Sequence, residues 1–246
     1  MRLRSVALLA VAVAMLAATG CRLPGKPGPG PEVPDPDSIL DSKVLYHQNC
    51  SGCHGADGRH GAAPAIGDPV YLALASDDTM RSVASKGRAG TAMSAFAQKE
   101  GGMLTDAQVD SIVRGIRQRW SNPGAVAGVT LPPYQASGAG DVQRGEAAYN
   151  TFCASCHGVG DKGGPKAGSV LNPAYLSLMT DQGLRTIVIT GRPDFDAPDW
   201  RNNVPGRPMS DQKITDVVAW LASHRPARAA QQSVASTPVS SSGGSQ

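Results

Sequence analysis

Tyr46-His-Gln-Asn-Cys-Ser-Gly-Cys-His-Gly55 and Tyr149-Asn-Thr-Phe-Cys-Ala-Ser-Cys-His-Gly158 are one pattern written twice. Working outward, Asp68-Pro-Val-Tyr-Leu-Ala-Leu74 matches Asn172-Pro-Ala-Tyr-Leu-Ser-Leu178. Gly87-Arg88 matches Gly191-Arg192, and Thr105-Asp106 matches Ser210-Asp211. The offset between the copies grows only from 103 to 105 along the way. A self-match of this length, held at a nearly constant offset, marks a duplicated domain.

Cys50-Ser-Gly-Cys53-His54 and Cys153-Ala-Ser-Cys156-His157 each carry the Cys-x-x-Cys-His spacing of a c-type haem attachment. One turn of chain lets two thiols reach two vinyl groups of a porphyrin and form thioethers, and the next residue then offers an imidazole to the iron. A disulfide redox pair would not require His after the second Cys in both copies. A zinc site built from one pair per copy lacks further Cys. A covalently bound macrocycle also explains how a chain with an aromatic content of only 4% would fill the interior of two small domains.

The helical signals fall at the same places in each copy. Ser38 is the expected cap of a helix running into the first Cys pair. Asp141 is its counterpart in the second copy, where Val142, Ala147, Ala148 and Phe152 form a loose apolar stripe. Middle helices are predicted over 77–86 and 181–190. Thr105 heads Val109, Ile112, Val113 and Ile116, and Ser210 heads Ile214, Val217, Val218 and Leu221, both at helical spacing. With no strand pairing evident, the fold class is all-α, and the expected domains are 37–122 and 139–226. A Pro/Gly-rich linker over 123–138 joins them. A Pro/Gly-rich tether covers 21–36, and a Ser-rich tail with little to bury covers 227–246.

The order Cys-x-x-Cys-His, middle helix, Met loop and last helix resembles the class I c-type cytochromes, and covers nearly all of both halves. The resemblance implies two tandem cytochrome c-like domains and two covalently bound haem c groups. Cys50, Cys53, Cys153 and Cys156 would hold them, and His54 and His157 would ligate the irons. It further implies a Met thioether on the other face of each iron, from a loop ahead of the last helix. A soft neutral sulfur favours ferrous iron, and a six-coordinate iron passes electrons rather than binding small molecules.

Met93-Ser-Ala-Phe96 resembles the family's Met loop, so Met93 is the expected sixth ligand of the first iron; Met80 and Met103 are the bland alternatives. The second copy departs from the pattern, because aligning Gly87-Arg88 with Gly191-Arg192 places Ala197-Pro-Asp-Trp200 in the Met slot. Met209, directly before the cap of the last helix, is the nearest substitute and is assigned the second iron if the loop from Arg201 to Pro208 crosses the haem face. Its alternative role is a packing residue at the helix start, and Met179 is a remote third choice. His47 and His60 are expected at the surface, His224 at a helix C-terminus, and Tyr71 and Tyr175 packed on haem. Arg88 and Arg192 suit either haem propionates or a solvated helix end.

The N-terminus reads Met1-Arg-Leu-Arg4, an apolar run from Val6 to Ala18, then Thr19-Gly20-Cys21. Residues 1–20 are an expected export signal. The Ala-Thr-Gly-Cys ending resembles a bacterial lipoprotein signal that would leave Cys21 lipid-bearing, with Ala18 standing where Leu is usual. The net charge of +3 points to no partner, since residues 37–122 and 139–226 each balance nine acids against nine bases. Nucleic acid is therefore not an expected partner.

The function these readings imply is single-electron transfer in an extracytoplasmic respiratory chain. The chain would be a carrier tethered at the outer face of the cytoplasmic membrane or in the periplasm, or a subunit of a membrane respiratory complex, with other redox proteins as partners. The alternative is a two-haem peroxidase-like enzyme or gas sensor working at an open second haem. No acid/base or nucleophile constellation is evident beyond the haem ligands.

Overall fold

The computed structural model describes Gly30 and residues 33–226. The expected signal 1–20, Cys21, most of the tether and the tail 227–246 lie outside the described residues. Residues 33–38 end in a 3-10 turn, Pro36–Ser38, in which the Ser38 hydroxyl donates to the Asp35 carbonyl at 2.6 Å. From Ile39 onward the described chain is one compact unit that holds both copies.

The described residues contain helices and two isolated bridges, and no strand. The first copy runs α1 (Ser42–Asn49), α2 (Ser51–His54), α3 (Pro69–Leu74), α4 (Asp77–Lys86) and α5 (Asp106–Trp120). The second repeats it as α6 (Val142–Phe152), α7 (Ala154–His157), α8 (Pro173–Ser177), α9 (Asp181–Thr190) and α10 (Asp211–Ser223). No helix among the described residues is long and apolar enough to cross a membrane.

Capping explains most of the boundaries. Thr105 makes a reciprocal capping box with Gln108, and the Ser210 hydroxyl accepts from the Lys213 N–H. Asp141 caps α6 as expected. Ser38 does not cap α1. Asp41 does, its carboxylate accepting from the Lys43 and Val44 N–H groups at 2.7 and 3.1 Å. A charged oxygen that satisfies two orphan donors outcompetes a hydroxyl already spent on its own turn.

The first and last helices of each copy cross closely. In the second copy a Cβ on Gly145 of α6 would stand 2.1 Å from the Asp216 carbonyl oxygen and 2.7 Å from the Trp220 Cβ of α10. At the equivalent crossing of the first copy the small residue is on the other helix, where Gly115 of α5 faces Ser42 of α1. This reciprocal exchange sets the buried face of α6 as Gly145, Ala148, Tyr149 and Phe152, an i, i+3, i+4, i+7 row. Of the expected stripe, Ala148 and Phe152 are buried, whereas Val142 and Ala147 are exposed.

Each copy has its own apolar core. Val109, Ile112, Val113 and Ile116 pack with Leu45, Tyr46 and Tyr71 in the first; Ile214, Val217 and Leu221 pack with Tyr149, Phe152 and Leu184 in the second. Helix α3 is divided between them. Tyr71 and Leu72 belong to the first core, whereas Val70 and Leu74 belong to the second. Tyr134, from the expected linker, packs against both. Its hydroxyl accepts from Arg88 at 2.5 Å and its carbonyl from Gln182 at 2.7 Å.

Candidate haem sites

The attachment turns of the two copies have the same geometry. Cys50 ends α1 and begins α2 with φ −120° and ψ −35°; Cys153 does the same between α6 and α7 with −122° and −36°. The Cys50 carbonyl accepts the His54 N–H at 3.0 Å, and the Cys153 carbonyl accepts the His157 N–H at 3.0 Å. One helical turn thus carries Cys, Cys and His together. The Tyr46 hydroxyl donates to the Gly55 carbonyl and the Tyr149 hydroxyl to the Gly158 carbonyl, both at 2.8 Å, anchoring the chain just past each histidine.

Both imidazoles are oriented from behind. His54 Nδ1 lies 2.8 Å from the Pro64 carbonyl, and His157 Nδ1 lies 2.9 Å from the Gly168 carbonyl. A carbonyl only accepts, so each Nδ1 carries the proton and each Nε2 keeps its lone pair for a metal. Burial pushes the His54 imidazole below its ordinary value, against the pull of the Pro64 bond, which keeps it neutral as a ligand must be.

The four thiols are unbridged. Burial pushes Cys50 up to about 11 and Cys153 up to about 12, each with its neighbouring cysteine adding to the shift. Burial thus holds the Cys50 and Cys153 thiols away from the activated thiolate form. Among the described residues no cluster of three or more His, Cys, Asp or Glu side chains is arranged to hold a metal by itself. The zinc alternative thus finds no ligand set there.

In the second copy the attachment turn opens on a cavity of about 450 Å³, with Cys153, Cys156 and His157 on one wall and Phe152, Leu184 and Val217 among its apolar lining. A largely apolar cavity of this volume, lined by two thiols and an imidazole, fits a covalently held macrocycle. Tyr175 lines the cavity, and burial raises its phenol. Tyr71, its counterpart in the first copy, is buried, with its phenol pushed up to about 12 by burial. Both phenols are neutral packing groups.

The other candidates fall as follows. Met93 is half-buried in the loop after α4, its N–H donating to the Thr91 hydroxyl at 3.1 Å. Met103 is 75% exposed and Met80 is buried on α4. Met209 is 2% exposed, packs in the second core, and accepts at Sδ from the Asn203 amide at 3.8 Å. Ala197, Pro198 and Asn203 line the cavity, whereas Met209 is not among its lining residues. Met179 packs at the edge of the second core.

His47 and His60 are exposed, His60 with its Nδ1 on Asp57 at 2.5 Å. The His224 ring meets Trp220 at the end of α10. Arg192 is no solvated helix-end cation, because its guanidinium holds Asp194 and reaches across to the Gly61 carbonyl of the first copy at 2.8 Å. That bridge and the Asn203 wall were not anticipated from sequence, which carries no periodic signal for loop side chains.

Residues 37–114 and 140–221 each match the family model described as cytochrome C oxidase, cbb3-type, subunit III. A curated relative, the cbb3-type cytochrome c oxidase subunit CcoP of Azospirillum sp. (strain B510), is 29% identical over 142 residues. The match covers 53% of this chain and 43% of that protein, so it spans less than half the relative's length. Among solved structures, a chain of the Kuenenia stuttgartiensis reducing HAO-like protein complex matches with a TM-score of 0.47 at 16% identity. That match covers 76% of this chain and 96% of the other.

Proposed function

Because the chain belongs to the family of cbb3-type cytochrome c oxidase subunit III, and so is a tandem c-type cytochrome of the electron-transfer class, we propose that it binds two haem c groups, one per half. On this reading it relays single electrons between them outside the cytoplasm. It works as a membrane-tethered carrier or as a subunit of a respiratory complex, with other redox proteins as partners. The domains are 37–122 and 139–226, and the anchor is a lipid on Cys21.

The observation that carries this reading is the repeated attachment turn, in which two cysteines and a histidine share one helical turn and a carbonyl holds each Nδ1. When bound, haem supplies an iron centre that gains and loses one electron. Cys50 and Cys53 fix the first group in place, as Cys153 and Cys156 fix the second. His54 and His157 present Nε2. Met93 is the proposed sixth ligand in the first half, and apolar side chains such as Leu184 and Val217 keep water from the cavity.

The test is the haem content of the exported protein, read by pyridine haemochrome spectra and intact mass. Two covalently bound haems per chain are expected. Cys50→Ala with Cys53→Ala, or Cys153→Ala with Cys156→Ala, each leaves one. A wild-type chain carrying fewer than two overturns the proposal.

A further inference from the structure

The two loops that follow the middle helices are built on the same turn, and only one of them ends in a thioether. In the first half the Arg88 N–H donates to the Met93 carbonyl at 2.8 Å; in the second the Arg192 N–H donates to the Ala197 carbonyl at 2.9 Å. Gly87 and Gly191 both have φ +66°, and a Cβ on either would stand 2.5 or 2.6 Å from the carbonyl oxygen of Met93 or Ala197 respectively. Backbone bonds therefore equate Ala197 with Met93 whatever the side chains.

The same reasoning identifies the counterpart of Met209. The Leu104 N–H donates to the Phe96 carbonyl at 2.7 Å, and the Met209 N–H donates to the Trp200 carbonyl at 2.9 Å. Each residue directly precedes the cap of the last helix, Thr105 or Ser210, and each is buried, at 6% and 2% exposure. Met209 thus stands where Leu104 stands. It is a packing side chain of the helix start, its sulfur turned to the Asn203 amide, while the cavity wall nearest its loop is made by Ala197, Pro198 and Asn203.

Given the two-haem reading above, on which this rests, we infer that the second iron receives no thioether from the chain. Its sixth position is open to a small exogenous ligand of the diatomic π-acceptor class, bound in the ferrous state. Ala197 places only a methyl on the cavity wall at the position where the first half carries the Met93 thioether. The site is an association site only, with no bond in the ligand broken.

The experiment uses the full haem-loaded protein, reduced with dithionite and exposed to carbon monoxide, read by its Soret band. About half of the haem shifts in the wild-type protein and in Met209→Leu, as expected for one open iron of two. Ala197→Met abolishes the shift, and Met93→Ala extends it to nearly all the haem. A wild-type protein that holds two haems and shows no carbon monoxide shift overturns this inference alone, as does a site that appears only in Met209→Leu. A protein with a single haem overturns the two-haem reading itself.

Discussion

Asp216 on α10 is 3% exposed and gathers four hydrogen bonds. The Asp141 N–H and the Gln212 amide reach Oδ1 at 2.8 and 2.9 Å, and Arg144 donates to Oδ2 at 2.9 Å and to Oδ1 at 3.0 Å. Burial pushes its carboxyl up, but Arg144, the Asp141 N–H and Gln212 together outweigh that and hold it below the ordinary 3.8. Asp216→Ala removes the acceptor of all four bonds and lowers the unfolding free energy by about 2 kcal/mol in urea titrations at neutral pH. A depressed carboxylate contributes fully above its unfolded value of about 3.9, and the contribution is lost as pH falls through the lower folded value. The wild-type protein therefore loses this part of its stability below about pH 4, and Asp216→Ala has a correspondingly flatter acid profile.

At the scale of elements, the helix crossing is the most restrictive feature. Gly145→Ala adds helix propensity of up to about 1 kcal/mol on α6, but its methyl would meet the Asp216 carbonyl oxygen and the Trp220 Cβ well inside contact distance. Backbone and a core indole have nowhere to go, so overpacking wins. The variant is destabilised by about 1–3 kcal/mol, which a thermal melt followed at Trp220 detects. Helices α4, α5, α9 and α10 are legible in the sequence because capping residues and apolar periodicity are local signals: Thr105 and Val109 lie on the same short stretch as the helix they define. The Asp41 cap is not legible there, because several acceptors compete and only the three-dimensional bonds decide. The α6 face is hidden because Gly145 reads as a helix weakener until Trp220 is seen against it. The equivalence of Met209 to Leu104 rests on bonds to Trp200 and Phe96 that no spacing reveals.

For the whole molecule, the division of α3 between two cores makes the halves depend on each other. Val70 and Leu74 are buried in the second core although they belong to the first copy, and full burial of an aliphatic side chain contributes about 1.5–3 kcal/mol. Val70→Ala combined with Leu74→Ala is expected to raise amide exchange in α10 as well as in α3. Exchange confined to the first copy would show that the shared core carries no coupling.

The Arg192 guanidinium spans from the wall of the second cavity to the Gly61 carbonyl beside the first attachment turn. Together with α3 and Tyr134 it fixes the gap between the two attachment turns. Tunnelling between redox centres falls off exponentially with their separation. A gap held by packing keeps that rate constant from one thermal fluctuation to the next, whereas domains swinging on a slack linker would transfer only at their closest approach. On the two-haem proposal, an internal step across this gap would be paced by driving force and nuclear reorganisation, and would be indifferent to the viscosity of the surrounding medium.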